Sequence, residues 1–449
     1  MDKTITERRV FPRIVATLPI RITPEFLGQT IDLSETGLRF VLEKPLLLSK
    51  AYARIELSPE DFIETEFKVI WNKHLVKENK FTYGACFIRL KEKDLEILRE
   101  VIIQTQLKDI LRKIDDLAMK SKISNFWHHD LKKYITEVAK LSRKINNEEI
   151  SKDEAEKIFF LLTDEMMQKA EELEESISQR IIMKKAKQSF REIMGSWIYE
   201  GRVVKRAFEK PRGYPGDYKT LEEIYNNCPL SKGIGYCSDK YFLENEYAVA
   251  VRNRKDKMKE ILVNFIQHSD SSIIKILNLA CGSCREIREL FVENKFITDK
   301  KIVFTLIDQD EEALEFAKNL FNNLPSNIKF NFLKDDILNL IKTENILSGR
   351  YNLIYSIGLA DYLPDRALKR LIQLSIKLLD SKGKFIITHK DIERCHPVAP
   401  DWFCDWNFYS RNEKYLVDLV KSIGVKNFDI ETIREESRRI LFLVIANQL

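Results

Sequence analysis

The run Ile276-Leu277-Asn278-Leu279-Ala280-Cys281-Gly282-Ser283-Cys284 sets an apolar strand against a loop of small side chains, and Arg285 to Phe291 then reads as a helix. Such a loop lets backbone approach a ligand closely, and a helix N-terminus offers it unpaired N–H groups. Asp308 ends the next apolar run, Val303 to Ile307, where a carboxylate can hold vicinal ribose hydroxyls. Asp335 and Asp336 close a third run, where a carboxylate can accept from an exocyclic adenine amine. Three successive strand ends therefore point polar groups at one nucleoside-sized crevice. Far upstream, Arg9 and Arg13 flank Pro12, and Asp32, Ser34 and Gly37 fall between two strands. Guanidiniums at that spacing grip separate phosphates or stack on purine faces, Asp32 can accept from a guanine edge, and Gly37 permits a tight turn. Together the two halves suit a guanine dinucleotide; either half alone reads as a solvated basic arm or an ordinary turn.

The elements that must position these residues fall into three stretches. Residues 14–90 are β-rich, with short apolar runs (Val15 to Ile22, Leu38 to Leu42, Thr65 to Trp71) between Pro, Gly, Ser and Asp clusters, which predicts a small barrel. From Glu92 the period becomes helical, with Leu107, Ile110, Leu111, Ile114 and Leu117 on one face, and helix continues in pieces to about Glu200. Ile158, Phe159, Leu162, Met166 and Leu173 form the apolar side of a Glu/Lys-dense region that reads equally as a bundle or a dimerising coil. From Ile273, strand-like runs (Ile273 to Leu279, Ile302 to Ile307, Asn352 to Ser356, Lys384 to Thr388) alternate with amphipathic helices such as Glu311 to Phe321 and Arg366 to Leu379, as βαβ units require.

A chain of 449 residues exceeds what one core organises, so several domains are expected. Lys+Arg 74 against Asp+Glu 69 is too even to argue for a nucleic-acid partner. The N-terminus lacks the apolar run of a secretory leader and no apolar stretch nears the ~20 residues of a membrane span, which predicts a cytoplasmic protein without a transmembrane segment. The seven cysteines include one close pair, Cys281 and Cys284, with no second pair or His cluster beside it, so no metal site is expected.

The pattern Arg-x-x-x-Arg followed by Asp-x-Ser-x-x-Gly resembles the PilZ domain, a six-stranded barrel that binds cyclic di-GMP. The resemblance runs from about Thr4 to Gln104 and includes Val69-Ile70-Trp71 and Tyr83-Gly84-Ala85-Cys86-Phe87. It implies cyclic di-GMP as a regulatory ligand held by Arg8, Arg9 and Arg13 on one side and by Asp32, Ser34 and Gly37 on the other. The loop after Asn278 departs from Gly-x-Gly-x-x-Gly and is similar to that of class I S-adenosylmethionine-dependent methyltransferases, with Tyr351 to Ser356 as the fourth strand and Leu378 to Phe385 leading into the fifth. Asn278 stands where an acidic residue is usual, and Ala280 and Cys284 where glycines are. This resemblance implies S-adenosylmethionine as cofactor, bound by Asn278, Ala280, Gly282, Asp308, Asp335, Asp336 and Ser356.

Arg212-Gly213-Tyr214-Pro215-Gly216-Asp217-Tyr218 is a turn by chemistry, with Pro215 and Gly216 suited to the centre of a type II turn. With Gly358 to Tyr362 and Asp405 to Arg411, it resembles the group associated with 3-hydroxypalmitic acid methyl ester biosynthesis. Tyr214, Tyr218, Tyr362 and Trp406 would wall an apolar acceptor site and Arg411 would bind a carboxylate, although each aromatic alone reads equally as core. Asp361, Tyr362 and His389 are the candidate catalytic residues. A carboxylate acceptor needs no base, whereas a hydroxyl or amine would use Asp361 or His389; for His389 a satisfied, hydrogen-bonded histidine is the even alternative.

The expectation is a multidomain α+β and α/β chain: a PilZ-like β-barrel over residues 1–104, a helical segment over 105–245, through which a homodimer could form, and a Rossmann-like methyltransferase domain over 246–449. Its expected activity is cyclic di-GMP-controlled methyl transfer to a small or lipid-like acceptor, such as a hydroxy fatty acid carboxylate. The rival is a cyclic di-GMP-responsive signalling adaptor with an inactive methyltransferase-like domain.

Overall fold

The structure, a computed structural model, describes residues 14–34, 36–57, 61–293, 296–321, 324–343, 347, 349–395, 398–424 and 427–448. The chain packs as two compact units, Met1–Arg202 with Ser231–Ser238, and Val203–Leu230 with Asp239–Leu449. The helices of the 105–245 segment are therefore shared between them.

In the first unit the strands are β1 (Ile14–Val15), β2 (Pro19–Ile22), β3 (Phe26–Ser34), β4 (Gly37–Leu42), β5 (Lys50–Glu56), β6 (Phe62–Leu75) and β7 (Lys80–Arg89). The order β3-β2-β5-β6-β7-β4 closes through a β3–β4 pairing into a six-stranded barrel, with β1 added on β3. Alternation supplies the core: Leu38, Phe40 and Leu42 of β4 point inward, with Leu33, Phe67 and Tyr83 of the neighbouring strands. Closure is tight at Gly37, where a Cβ would stand 2.1 Å from the Ala85 carbonyl oxygen.

The helix expected from Glu92 runs to Leu111 and stops. Asp116, accepting from the Met119 N–H, caps a new helix, Leu117–Asn125, so Leu117 leaves the predicted face and is 79% exposed while Ile114 is buried in the turn. Phe159, Met166 and Leu173 of the helix Lys152–Ser176 are buried inside the chain, and Tyr134 of the helix Lys132–Asn146 meets Thr163 at 3.0 Å. That face is used in a bundle. No helix among the described residues is long and apolar enough to cross a membrane.

The second unit holds β8 (Ile273–Leu279), β9 (Lys301–Asp308), β10 (Ile328–Lys334), β11 (Tyr351–Ser356), β12 (Leu379–Lys390), β13 (Phe428–Arg434) and β14 (Ile440–Asn447). They form one sheet in the order β10-β9-β8-β11-β12-β14-β13, parallel except for β14. The central strands are covered on both faces, which explains their unbroken apolar runs: Ile276, Leu277, Leu353, Ile354 and Phe385 are each 0% exposed. The strand order reverses at β8, with β9 and β10 laid to one side and β11 and β12 to the other, and ligands of open α/β sheets bind at the carboxyl ends of strands flanking such a point. Phe385→Ala should cost about 3–5 kcal/mol in denaturant titrations, because the void lies between layers that cannot collapse.

Candidate functional sites

On the barrel, outward-facing residues line up across four strands: Asp32 pairs with Arg39, Arg39 with Gly84, and Gly84 with Trp71. The Asp32 carboxylate, buried to 2% exposure, takes the Arg39 guanidinium. Ser34 donates to the Gly37 carbonyl at 3.1 Å, which fixes the turn between β3 and β4. Gly84 has no side chain because the Trp71 indole lies across it, with Nε1 only 2.2 Å from where a Cβ would be. One face so offers a buried carboxylate, a guanidinium and a partly exposed indole. Arg8, Arg9 and Arg13 lie outside the described residues. Arg39 is the residue of this face that the motif did not flag, because an Arg within an alternating strand reads as solvated.

In the second unit, the loop after β8 is held from two sides. Cys281 N–H donates to the Ile307 carbonyl at 2.9 Å and Gly282 N–H to Asp308 Oδ2 at 2.7 Å, so β9 dictates the loop's course. Ala280, Gly282 and Cys284 all adopt left-handed backbone (φ 57°, 53° and 51°), a cost of about 1–2 kcal/mol for each non-glycine residue that these contacts must offset. A Cβ on Gly282 would meet no atom within 4 Å, so the loop faces open space there. Burial raises the Asp308 pKa against the N–H groups of Asp310 and Gly282. Ser356 spends its hydroxyl on the Leu279 carbonyl at 2.7 Å. Asp335 Oδ1 accepts from Asp336 N–H at 2.7 Å and Asp336 Oδ1 from Leu338 N–H at 2.9 Å, which starts the helix Ile337–Thr343.

These residues fit an adenosyl cofactor on two observations: the open cradle at Gly282, and two fully buried polar atoms, Asn278 Oδ1 and Arg254 Nε, with no hydrogen-bond partner among the described residues. No group of three or more His, Cys, Asp or Glu side chains placed to hold a metal occurs among the described residues.

The segment 203–230 is clamped over this end of the sheet by charge. Arg206 grips Asp217 at 3.1 and 2.5 Å, Lys210 reaches Asp405, and Arg212 pairs with Asp310 and Glu312. Glu222 accepts from Ser283 (2.6 Å), Arg285 (2.8 Å) and Arg288 (3.2 Å), tying the helix Tyr218–Asn226 to the loop. The expected type II turn at Pro215-Gly216 is corrected: the left-handed residue of this loop is Gly213 (φ 90°), and Gly216 is needed for close approach, since a Cβ would stand 2.9 Å from the Trp406 ring and 3.2 Å from the Tyr362 hydroxyl.

Trp406 donates to the Tyr362 hydroxyl at 2.6 Å, and both rings pack on Phe408, which in turn stacks on Tyr247. Tyr214 is half-buried, and burial followed by Asp308 and Asp310 pushes its hydroxyl pKa up. Tyr218 does not join this wall: it is buried on Phe316 of the helix Glu311–Leu320, with ring centroids 5.5 Å apart.

Arg411 is not free to bind a substrate carboxylate. Its guanidinium is 3% exposed and spent on Asp365, the Ala360 and Leu363 carbonyls and His389 Nε2. His389 donates from Nδ1 to the Lys390 carbonyl at 2.6 Å and accepts at Nε2 from Arg411 at 3.0 Å, so neither nitrogen is left to take a proton. Asp361 accepts from Lys390 N–H (2.9 Å) and Nζ (3.0 Å). Burial pushes the Asp361 carboxyl up, but the Lys390 charge and N–H, with Arg254, hold it below its ordinary value, which makes it a weak base. Lys390, unflagged by the sequence, sits 3.5 Å above the Phe408 ring and 4.9 Å from that of Tyr247. Arg254 and Glu286 were also missed, since each lies in a charged helical run that reads as a solvated face.

Burial lowers the His389 pKa from 6.5 despite Asp361, so the folded state resists protonation. The stability this provides is complete above the unfolded value and is lost as the pH falls through the lowered folded value. Denaturant titrations from about pH 7.5 to about pH 5 should show falling stability, with a shallower slope in His389→Asn.

Residues 7–104 match the PilZ domain family, and residues 270–436 match a family described as a methyltransferase domain. No curated protein matches the sequence. Among solved structures, a protein of Bordetella parapertussis described as a possible exported protein is 15% identical, with 70% of this chain and 97% of that one covered at a TM-score of 0.41. Magnesium protoporphyrin IX methyltransferase from Synechocystis PCC 6803 with bound SAH is 10% identical, covering 55% and 98% at a TM-score of 0.37. The Bacillus subtilis inhibitor of motility is 25% identical, covering 23% and 52% at a TM-score of 0.21.

Proposed function

We propose that this chain, which carries a PilZ domain and a methyltransferase domain, is an S-adenosylmethionine-dependent methyltransferase whose rate is set by cyclic di-GMP. The observation that carries the enzymatic half is the Asp308–Gly282 contact at the open loop of the switch point. Bound there, S-adenosylmethionine supplies a methyl group on a positively charged sulfur. Asp308 would hold the ribose, Asp335 the adenine amine, and the Gly282 backbone the edge of the cofactor.

The acceptor follows from which groups are occupied. Methyl transfer to a hydroxyl or amine needs a base to take the proton, and both candidates are spent: His389 at both nitrogens, Asp361 on Lys390. A carboxylate needs none. Lys390, walled by Phe408 and Tyr247, is the cation that would meet the acceptor's carboxylate, and the aromatic set Tyr214, Tyr362, Trp406 and Phe408 would exclude water and take an apolar chain. This supports a fatty acid or hydroxy fatty acid carboxylate, the class of the 3-hydroxypalmitate group. Asp361 and His389 then act by fixing Lys390 and the strand end, and Tyr362 by closing the wall.

On the barrel, Asp32, Ser34 and Gly37 would hold cyclic di-GMP with Arg8, Arg9 and Arg13, and Trp71 would extend the face as a stacking surface.

Incubation with labelled S-adenosylmethionine and lipid extract should place label in a product that mild alkali releases as methanol, as an ester requires. An alkali-stable product overturns the carboxylate assignment, and no transfer and no cofactor heat favour an adaptor. Saturating cyclic di-GMP should change the rate, an unchanged rate removing the coupling. Trp71→Ala should weaken dinucleotide binding about ten- to hundredfold in calorimetry.

A further inference from the structure

Beneath the loop, three side chains meet that no motif joins. Tyr355 of β11, paired across from Asn278 of β8, donates its hydroxyl to Glu286 Oε1 at 2.7 Å. Asn278 Nδ2 donates to the same oxygen at 3.1 Å and to the Tyr355 oxygen at 2.9 Å. All three are at most 2% exposed. The triangle leaves the amide one orientation, because a flip would set Asn278 Oδ1 against a carboxylate oxygen and a hydroxyl whose proton is already committed. Glu286 therefore decides that Oδ1 is the atom left over, and that atom is buried without a partner among the described residues.

A second buried atom of opposite character lies nearby. Arg254 is 3% exposed and its Nε–H has no acceptor among the described residues. Its guanidinium packs where a Cβ on Gly358 would come within 2.8 Å, just past the end of β11, and Tyr225 bonds the same group. An orphan acceptor and an orphan donor so flank the carboxyl ends of β8 and β11. An orphan buried polar atom is destabilising, and a ligand carrying an ammonium beside a carboxylate would satisfy both. Arg254 also draws on Glu286 electrostatically, while burial pushes the Glu286 carboxyl up.

We propose that Glu286 is the displaced acid of the cofactor site, a positioning residue that acts through Asn278, and that Arg254 is its opposite pole, so that together they take the zwitterionic amino-acid end of S-adenosylmethionine. This rests on the reading that the crevice binds that cofactor. The acidic residue usual at position 278 has moved eight residues along the chain, onto the first turn of the helix after the loop, and Asn278 transmits its effect.

Calorimetry with two probes tests this: S-adenosylhomocysteine, which has the amino-acid end, and 5′-methylthioadenosine, which lacks it. Glu286→Gln lets the new amide donate to Asn278 Oδ1 and flip it. Its affinity for S-adenosylhomocysteine should fall about ten- to hundredfold, with that for methylthioadenosine unchanged within about twofold. Asn278→Asp added to Glu286→Gln returns the acid to the strand and should restore most of the loss, which a purely structural role would not. If Glu286→Gln melts early, Arg254→Met provides the same selective test. Equal loss for both probes, or no loss, overturns the proposal. Wild-type protein that binds neither probe overturns the cofactor reading itself.

Discussion

The second unit depends on one short contact, the Gly282 N–H on the Asp308 carboxylate. It joins the loop after β8 to the end of β9 and fixes Gly282 where its Cα faces open space. Asp308 is nearly buried, which by itself would favour the neutral acid; backbone N–H groups of Asp310, Gly282 and Gln309 counter that by donating hydrogen bonds to the carboxylate. A carboxylate satisfied by backbone in this way is fixed in direction, so the site is preorganised rather than assembled on binding. The left-handed Ala280 and Cys284 make sense under the same constraint. The loop must turn sharply enough to bring Gly282 to Asp308, and the sheet and helix contacts around it absorb the strain.

Around this contact the unit spends buried charge freely. Glu222 gathers Ser283, Arg285 and Arg288, and Glu289 takes Lys255, Lys259 and Arg285, whose hydrogen bonds outweigh its desolvation and hold its pKa at about 2. Such pairs contribute little net stability, since desolvation offsets attraction, but they allow only one arrangement of the segments they join. Here they fix the helix Tyr218–Asn226 and the helix Glu246–His268 to the cofactor loop. Geometric uniqueness, rather than stability, is what these buried pairs supply to the loop.

What the sequence revealed followed from periodicity and from loops whose chemistry is local. The run Ile273 to Leu279 is β8 residue for residue, because its apolar residues Ile274, Ile276, Leu277 and Leu279 are buried and the small-residue loop that follows ends the strand sharply. The helix from Glu92 was overextended because five apolar residues kept the period while Asp116, a capping residue, broke it. Arg411 and Tyr218 carry the right chemistry for a substrate pocket, yet the fold spends one on Asp365 and backbone carbonyls and the other on Phe316. Arg254, Glu286 and Lys390 were illegible for the converse reason. Charged residues in helices or at strand ends are usually solvated, and only tertiary packing shows that these three are buried.

The end of β12 shows how a set of titratable residues can assemble for a non-titrating purpose. His389, Arg411, Asp361 and Lys390 form one buried chain of hydrogen bonds, with the histidine held neutral by burial and the aspartate held ionised by Lys390. A base that must gain and lose a proton each turnover cannot also be the acceptor of fixed structural hydrogen bonds, since protonation would break them. The network therefore leaves neither His389 nor Asp361 free to take up a proton. It also holds the Lys390 ammonium on the Asp361 carboxylate and 3.5 Å above the Phe408 ring, so this buried cation is neutralised by one partner and shielded from water by the other.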